Sequence, residues 1–178
     1  MTDAPCVDRP SGVDDAAATL DNRPGSSLRL RLTSPTAYRW PVGEMVTDLL
    51  SHRVALAPDL RGSIAIAIHE AVLNAVIHGN LEIESPTERG FEAIEALRER
   101  IAARLRDPCL RDRKCEIRLR WTNAHVLAWI TDEGPGFTPR QGRNPELPWG
   151  RGIQIIRALA SRCRWRKGGR RLALAFKL

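Results

Sequence analysis

Hydrophobic positions along the chain change their period several times, and each change marks an element. Leu28, Leu30 and Leu32 alternate with Arg29 and Arg31. A period of two predicts a half-buried strand, closed by Pro35. Over 41–54, Pro41 precedes Val46, Leu49 and Leu50 on one side of a predicted helix. Residues 59–79 carry Ile64, Ile66, Ile68, Val72, Leu73, Val76 and Ile77, apolar almost all round, which predicts a helix buried on most sides, stopped at Gly79-Asn80. Over 88–106, Phe91, Ile94, Leu97, Ile101 and Leu105 make one stripe on a third helix, most simply a packing face. Period two returns at 116–121 and 126–131, joined by a hairpin turn at 122–125. A helix over 151–161 and strands at 163–167 and 171–177, turned at Gly168-Gly169, complete the chain.

This order favours an α+β fold: a two-layer sandwich with one mixed, mostly antiparallel sheet covered by helices on one face. At 178 residues the chain is long enough for one core without disulfide support. Residues 1–26 lack apolar periodicity and read as a disordered acidic tail, so the folded domain spans 27–178 with a helical insert at 81–114. No apolar run reaches the ~18 residues of a membrane span, and the N-terminus lacks secretory features. The expectation is therefore a cytoplasmic protein with no membrane partner. The spacing of Cys6, Cys109, Cys115 and Cys163 suits neither zinc nor a disulfide scaffold, and reduced structural thiols are expected. Net charge is +7. Five aspartates precede Asn22, whereas seven basic residues and no acid follow from Arg162 onward. Such a basic end attracts phosphates, nucleic acid or an acidic protein, or is simply a solvated strand face.

Three motifs carry candidate chemistry. Glu70, Asn74 and His78 are spaced i, i+4, i+8 on the apolar helix and fall on one stripe. A carboxylate and an amide in such surroundings need partners, either a locking polar network or a ligand. Asp132-Glu133-Gly134-Pro135-Gly136-Phe137 places a carboxylate at a strand end, followed by glycines that admit close backbone approach. Gly150-Arg151-Gly152-Ile153 opens a helix, where backbone N–H groups and the helix dipole favour an anion. It is neither a dinucleotide fingerprint nor a Walker loop.

In this order, the segments His69–Gly79, Thr131–Phe137 and Gly150–Leu159 resemble the N box and two glycine boxes of the GHKL, or Bergerat-fold, ATPases. The similarity is closest to the anti-sigma-factor serine/threonine kinases. The resemblance implies ATP and Mg²⁺ as cofactors. It assigns Glu70 as the general base and Asn74 as the Mg²⁺ ligand. Asp132 would accept from the adenine amino group, beside Gly134 and Gly136. Gly150 and Gly152 would end a phosphate lid over 138–149. His78, Phe137, Arg151 and Ile153 join the expected nucleotide contacts. Arg140, Arg143 and Arg151 are candidates for the γ-phosphate. The implied partners are a STAS-type anti-sigma antagonist and a sigma factor, and the resemblance suggests a homodimer.

Two other function classes compete with a protein kinase. One is a non-catalytic ATP-dependent protein-binding switch, or a partner-dependent histidine-kinase-like module. Glu70 favours turnover, because a pure switch needs no base. The other is nucleic-acid binding by the terminal hairpin. It is not expected, since interleaved exposed aromatics beyond Trp165 are lacking there.

Overall fold

The computed structural model describes residues 18–21, 27–86, 90–136 and 151–178. Strands β1 (Ala18–Asp21), β2 (Ser27–Thr33), β3 (Lys114–Trp121), β4 (His125–Thr131), β5 (Arg162–Arg166) and β6 (Arg171–Lys177) form one sheet in the order β1-β2-β3-β4-β6-β5. The sandwich anticipated from the patterning is present. Its sheet is not mixed, however: every described pairing is antiparallel. The alternation sorts side chains cleanly. Leu28, Leu30, Ile117, Leu119, Ala128, Ile130, Leu174 and Phe176 are buried, while their neighbours in sequence face the other side.

Helices cover the buried face. They are α1 (Ser34–Arg39), α2 (Val42–Ser51), α3 (Pro58–Asn74), α4 (Phe91–Arg104), α5 (Pro108–Arg111) and α6 (Arg151–Leu159). The centre is α3, which packs against both α2 and α6. Its Ile64, Ala67, Ile68, Ala71 and Val72 are buried. The helix continues as a π-helical segment, Ala75–Asn80. Pro58–Asn80 is thus long and apolar enough to cross a membrane by length and composition, contrary to the reading that no segment is. Its burial against the sheet gives that apolarity a different use.

Several local expectations change. Part of the segment read as a disordered tail forms β1, because β2 leaves an edge whose unpaired backbone groups can take another strand. Pro35 ends β2 but also begins a helix, since its fixed φ suits a first turn. Asp107 similarly caps α5 by accepting from the Cys109 N–H at 2.9 Å. The insert helix α4 is only anchored at its C-terminal end. Ile101 is buried, but Phe91 is 75% and Ile94 36% exposed, so the stripe outruns the core it meets. Trp165 is not an exposed aromatic either. It packs against the core, with the Arg157 guanidinium 5.5 Å from its ring centroid. Cys115 and Cys163 are free, but Cys109 is disulfide-bonded, which corrects the expectation of reduced thiols throughout. Spacing in sequence cannot show a pairing made by the fold.

Candidate functional site

Three glycines determine how closely the site elements approach. A Cβ on Gly79 would lie 2.5 Å from Asp132 Cγ, and one on Gly134 would lie 2.2 Å from the Gly79 carbonyl oxygen. The end of the α3 rod and the loop after β4 therefore meet backbone to backbone. A Cβ on Gly152 would lie 2.7 Å from Glu70 Oε2 and 3.1 Å from Asn74 Nδ2. The first turn of α6 thus rests on the face of α3 that carries Glu70 and Asn74. Two of the three sequence motifs meet directly there, and the third joins them through Gly79.

Asp132 leaves β4 and is held by two backbone bonds. Its N–H donates to Arg170 O at 3.0 Å, and its Oδ1 accepts from the Gly134 N–H at 2.9 Å. Burial raises its pKa to about 6, opposed by the Gly134 N–H and its own backbone N–H at the carboxylate and by the charges of Arg170 and Arg113. Glu133 turns the other way and accepts from the Lys114 N–H at 3.0 Å. Gly136 has φ +100, and its Cα packs against the Gly168 carbonyl. Arg151 is exposed and Ile153 half-buried on the first turn of α6. Phe137, Gly150, the expected lid 138–149, Arg140 and Arg143 lie outside the described residues.

His78 lies in the π-helical segment that continues α3. Beyond Asn74 the backbone takes i→i+5 bonds, as in Leu81 N–H to Val76 O at 2.8 Å. His78 Nδ1 lies 2.6 Å from Ile83 O, and its Nε2 3.5 Å from Ser85 Oγ. The ring braces the turn after the helix.

In sequence Asn80 marks only a helix stop, yet it is fully buried and ties the site together. Its Nδ2 donates to Ser34 Oγ at 3.1 Å, and its Oδ1 accepts from the Glu133 N–H at 2.9 Å. Arg113 donates to the Asn80 carbonyl at 2.8 Å and to Glu82 at 2.6 Å. An asparagine just past a predicted helix is an ordinary stop signal, so only its burial distinguishes it.

Asn74 is the opposite case. Its Nδ2 is buried without a hydrogen-bond partner among the described residues, as is His69 Nδ1. Such a group costs free energy unless something binds it. A family model for the histidine kinase-like ATPase domain matches residues 33–176. The chain belongs to this family. No curated protein matches it. A histidine kinase-like ATPase domain is an ATP-binding regulatory module, and two features here suit a nucleotide: the orphaned Asn74 Nδ2, an N–H donor for a phosphate oxygen, and the cradle left by Gly152; the amide oxygen of the same side chain would be the ligand for the accompanying Mg²⁺.

Two outcomes are expected from this geometry. Asn80→Ala removes both side-chain bonds from a buried site and should cost about 2–4 kcal/mol in denaturant unfolding. Because Asp132 titrates above its unfolded value, its contribution favours the folded state below pH ~4 and is lost as pH rises through about 6. Wild type should therefore lose about 1–2 kcal/mol relative to Asp132→Asn between pH 4 and 7, after allowance for partial solvent screening. Parallel stability curves for the two proteins would refute the buried-carboxylate account.

Proposed function

We propose that this histidine kinase-like ATPase domain is an anti-sigma regulatory factor acting as an ATP-dependent protein serine/threonine kinase. The observation that carries the reading is the position of Glu70. Its carboxylate lies one helical turn from Asn74, on the α3 face against which Gly152 packs. A nucleotide held by Asn74 and the α6 N-terminus would leave Glu70 on the same side as the phosphates.

Roles then follow from chemistry. Asp132 in its ionised form accepts from the adenine amino group, and Gly79 and Gly134 leave its carboxylate room to be reached. Asn74 supplies an amide oxygen for Mg²⁺, a metal that takes few protein ligands and keeps several waters. Bound Mg²⁺ would neutralise charge on the phosphates. Backbone N–H groups in the first turn of α6 add their dipole at the same place. Glu70 takes the proton from an incoming serine or threonine hydroxyl as that oxygen bonds the γ-phosphorus and ADP leaves. Phosphoryl transfer is governed mainly by positioning and charge, so this base is a contributor, not the whole of catalysis. The acceptor we propose is a STAS-type antagonist, with a sigma factor as the second partner.

Glu70→Gln keeps the size and hydrogen bonding of the side chain but cannot take up a proton. With labelled ATP and STAS-type candidates as acceptors, it should slow transfer by about 10²–10³. ATP affinity measured by calorimetry should stay within about threefold, since Asn74 and Asp132 are untouched. Transfer at the wild-type rate would make Glu70 structural. ATP binding with no transfer to any acceptor would favour the non-catalytic switch.

A further inference from the structure

The sheet face away from the helices has a charge pattern that the ATP site does not use. Register places Arg118 beside Trp129, Trp129 beside Ala173, and Ala173 beside Arg164. Two residues along, Arg120, Leu127, Ala175 and Arg162 make a second row of the same kind. Both rows therefore read arginine, large apolar, alanine, arginine across β3, β4, β6 and β5. The small alanines of β6 form a trough floor, with Trp129 and Leu127 as one wall. Neither of these two belongs to the hydrophobic core, which lies on the other face. Arg120, Arg162 and Arg164 are exposed and have no acidic partner among the described residues. The only acid in these four strands, Glu116, is already engaged by Arg29 and Arg118.

We infer that this trough is a docking surface for an acidic amphipathic α-helix of a partner protein. The dimensions agree. Arginines on β3 and β5 are three strand spacings apart, about 14 Å. A helix with its side chains is about 10–12 Å across, so it fits between them. Successive rows are two residues apart, about 6.7 Å along the strands. Carboxylates at i and i+4 on a helix are about 6 Å apart, so they can meet successive arginines. An apolar stripe between two such acidic flanks would lie on Trp129, Leu127 and the alanines. Charge also argues against a second copy of the same face, because the two arginine rows would repel. A nucleic acid would gain phosphate contacts at the rims but would set a single tryptophan, without further stacking partners, against an apolar floor. This inference is independent of the kinase reading.

The test uses the full chain and a fluorescently labelled designed peptide with a leucine stripe flanked by glutamates at i, i+4. Controls are a scrambled peptide of the same composition and a single-stranded oligothymidylate, all at physiological ionic strength. The designed peptide should bind at least about tenfold more tightly than either control. Arg120→Glu and Arg164→Glu should each weaken it about tenfold, and Ala173→Gln, which raises the trough floor, should weaken it by a similar factor. ATP affinity, measured on the same variants, should be unchanged. Equal binding of the scrambled peptide, preference for the oligothymidylate, or insensitivity to the arginine reversals would overturn the inference. So would self-association of the full chain that Arg164→Glu abolishes, since a second copy would then occupy the face.

Discussion

The structure depends on close contact where three glycines leave side-chain space vacant. Gly79 and Gly134 let the β4 loop touch the end of the central helix rod, and Gly152 lets α6 settle on Glu70 and Asn74. These contacts bring together elements far apart in sequence. Any Cβ at those positions would be within 3 Å of another atom, closer than ordinary packing allows. The glycines thus fix distances between carboxylates, an amide and backbone N–H groups, which is what an anionic ligand with a metal requires.

Held that closely, the polar groups must be satisfied or reserved. Asn80 shows the first solution: buried, it bonds Ser34 and the Glu133 N–H, so the loop carrying Asp132 cannot drift from the helix. Asn74 shows the second, with a buried amide end left without a partner. Asp132 lies between these cases. Its backbone bonds orient it, yet burial keeps its pKa near 6, so a donor brought by a ligand would relieve a strained protonation balance.

Much of this was legible in the chain. Alternation in β2, β3, β4 and β6 reports burial on one side only, and that signal survives in the observed register. Glu70, Asn74, Asp132 and Gly152 could be found because motif order is a longer pattern than any motif. Other features are invisible at the level of residue type. The π-helical turn over Ala75–Asn80 depends on which carbonyl each N–H selects, and a helical period of apolar residues is compatible with both choices. The role of Asn80 depends on burial, which a stop signal does not encode. The open sheet face needed the register itself, since its two arginine rows come from β3 and β5, more than 40 residues apart in the chain.

The central claim is that nucleotide phosphates and their metal are held where Gly152 meets Glu70 and Asn74. Titration of Gly152→Ala with ATP–Mg²⁺, alongside thermal unfolding, addresses it most directly. The added methyl would press on the mobile ends of Glu70 and Asn74, and not on backbone, while alanine favours the helix by about 0.5–1 kcal/mol. The account predicts unchanged or slightly raised stability together with at least about tenfold weaker ATP binding. Wild-type ATP affinity in the folded variant would contradict it.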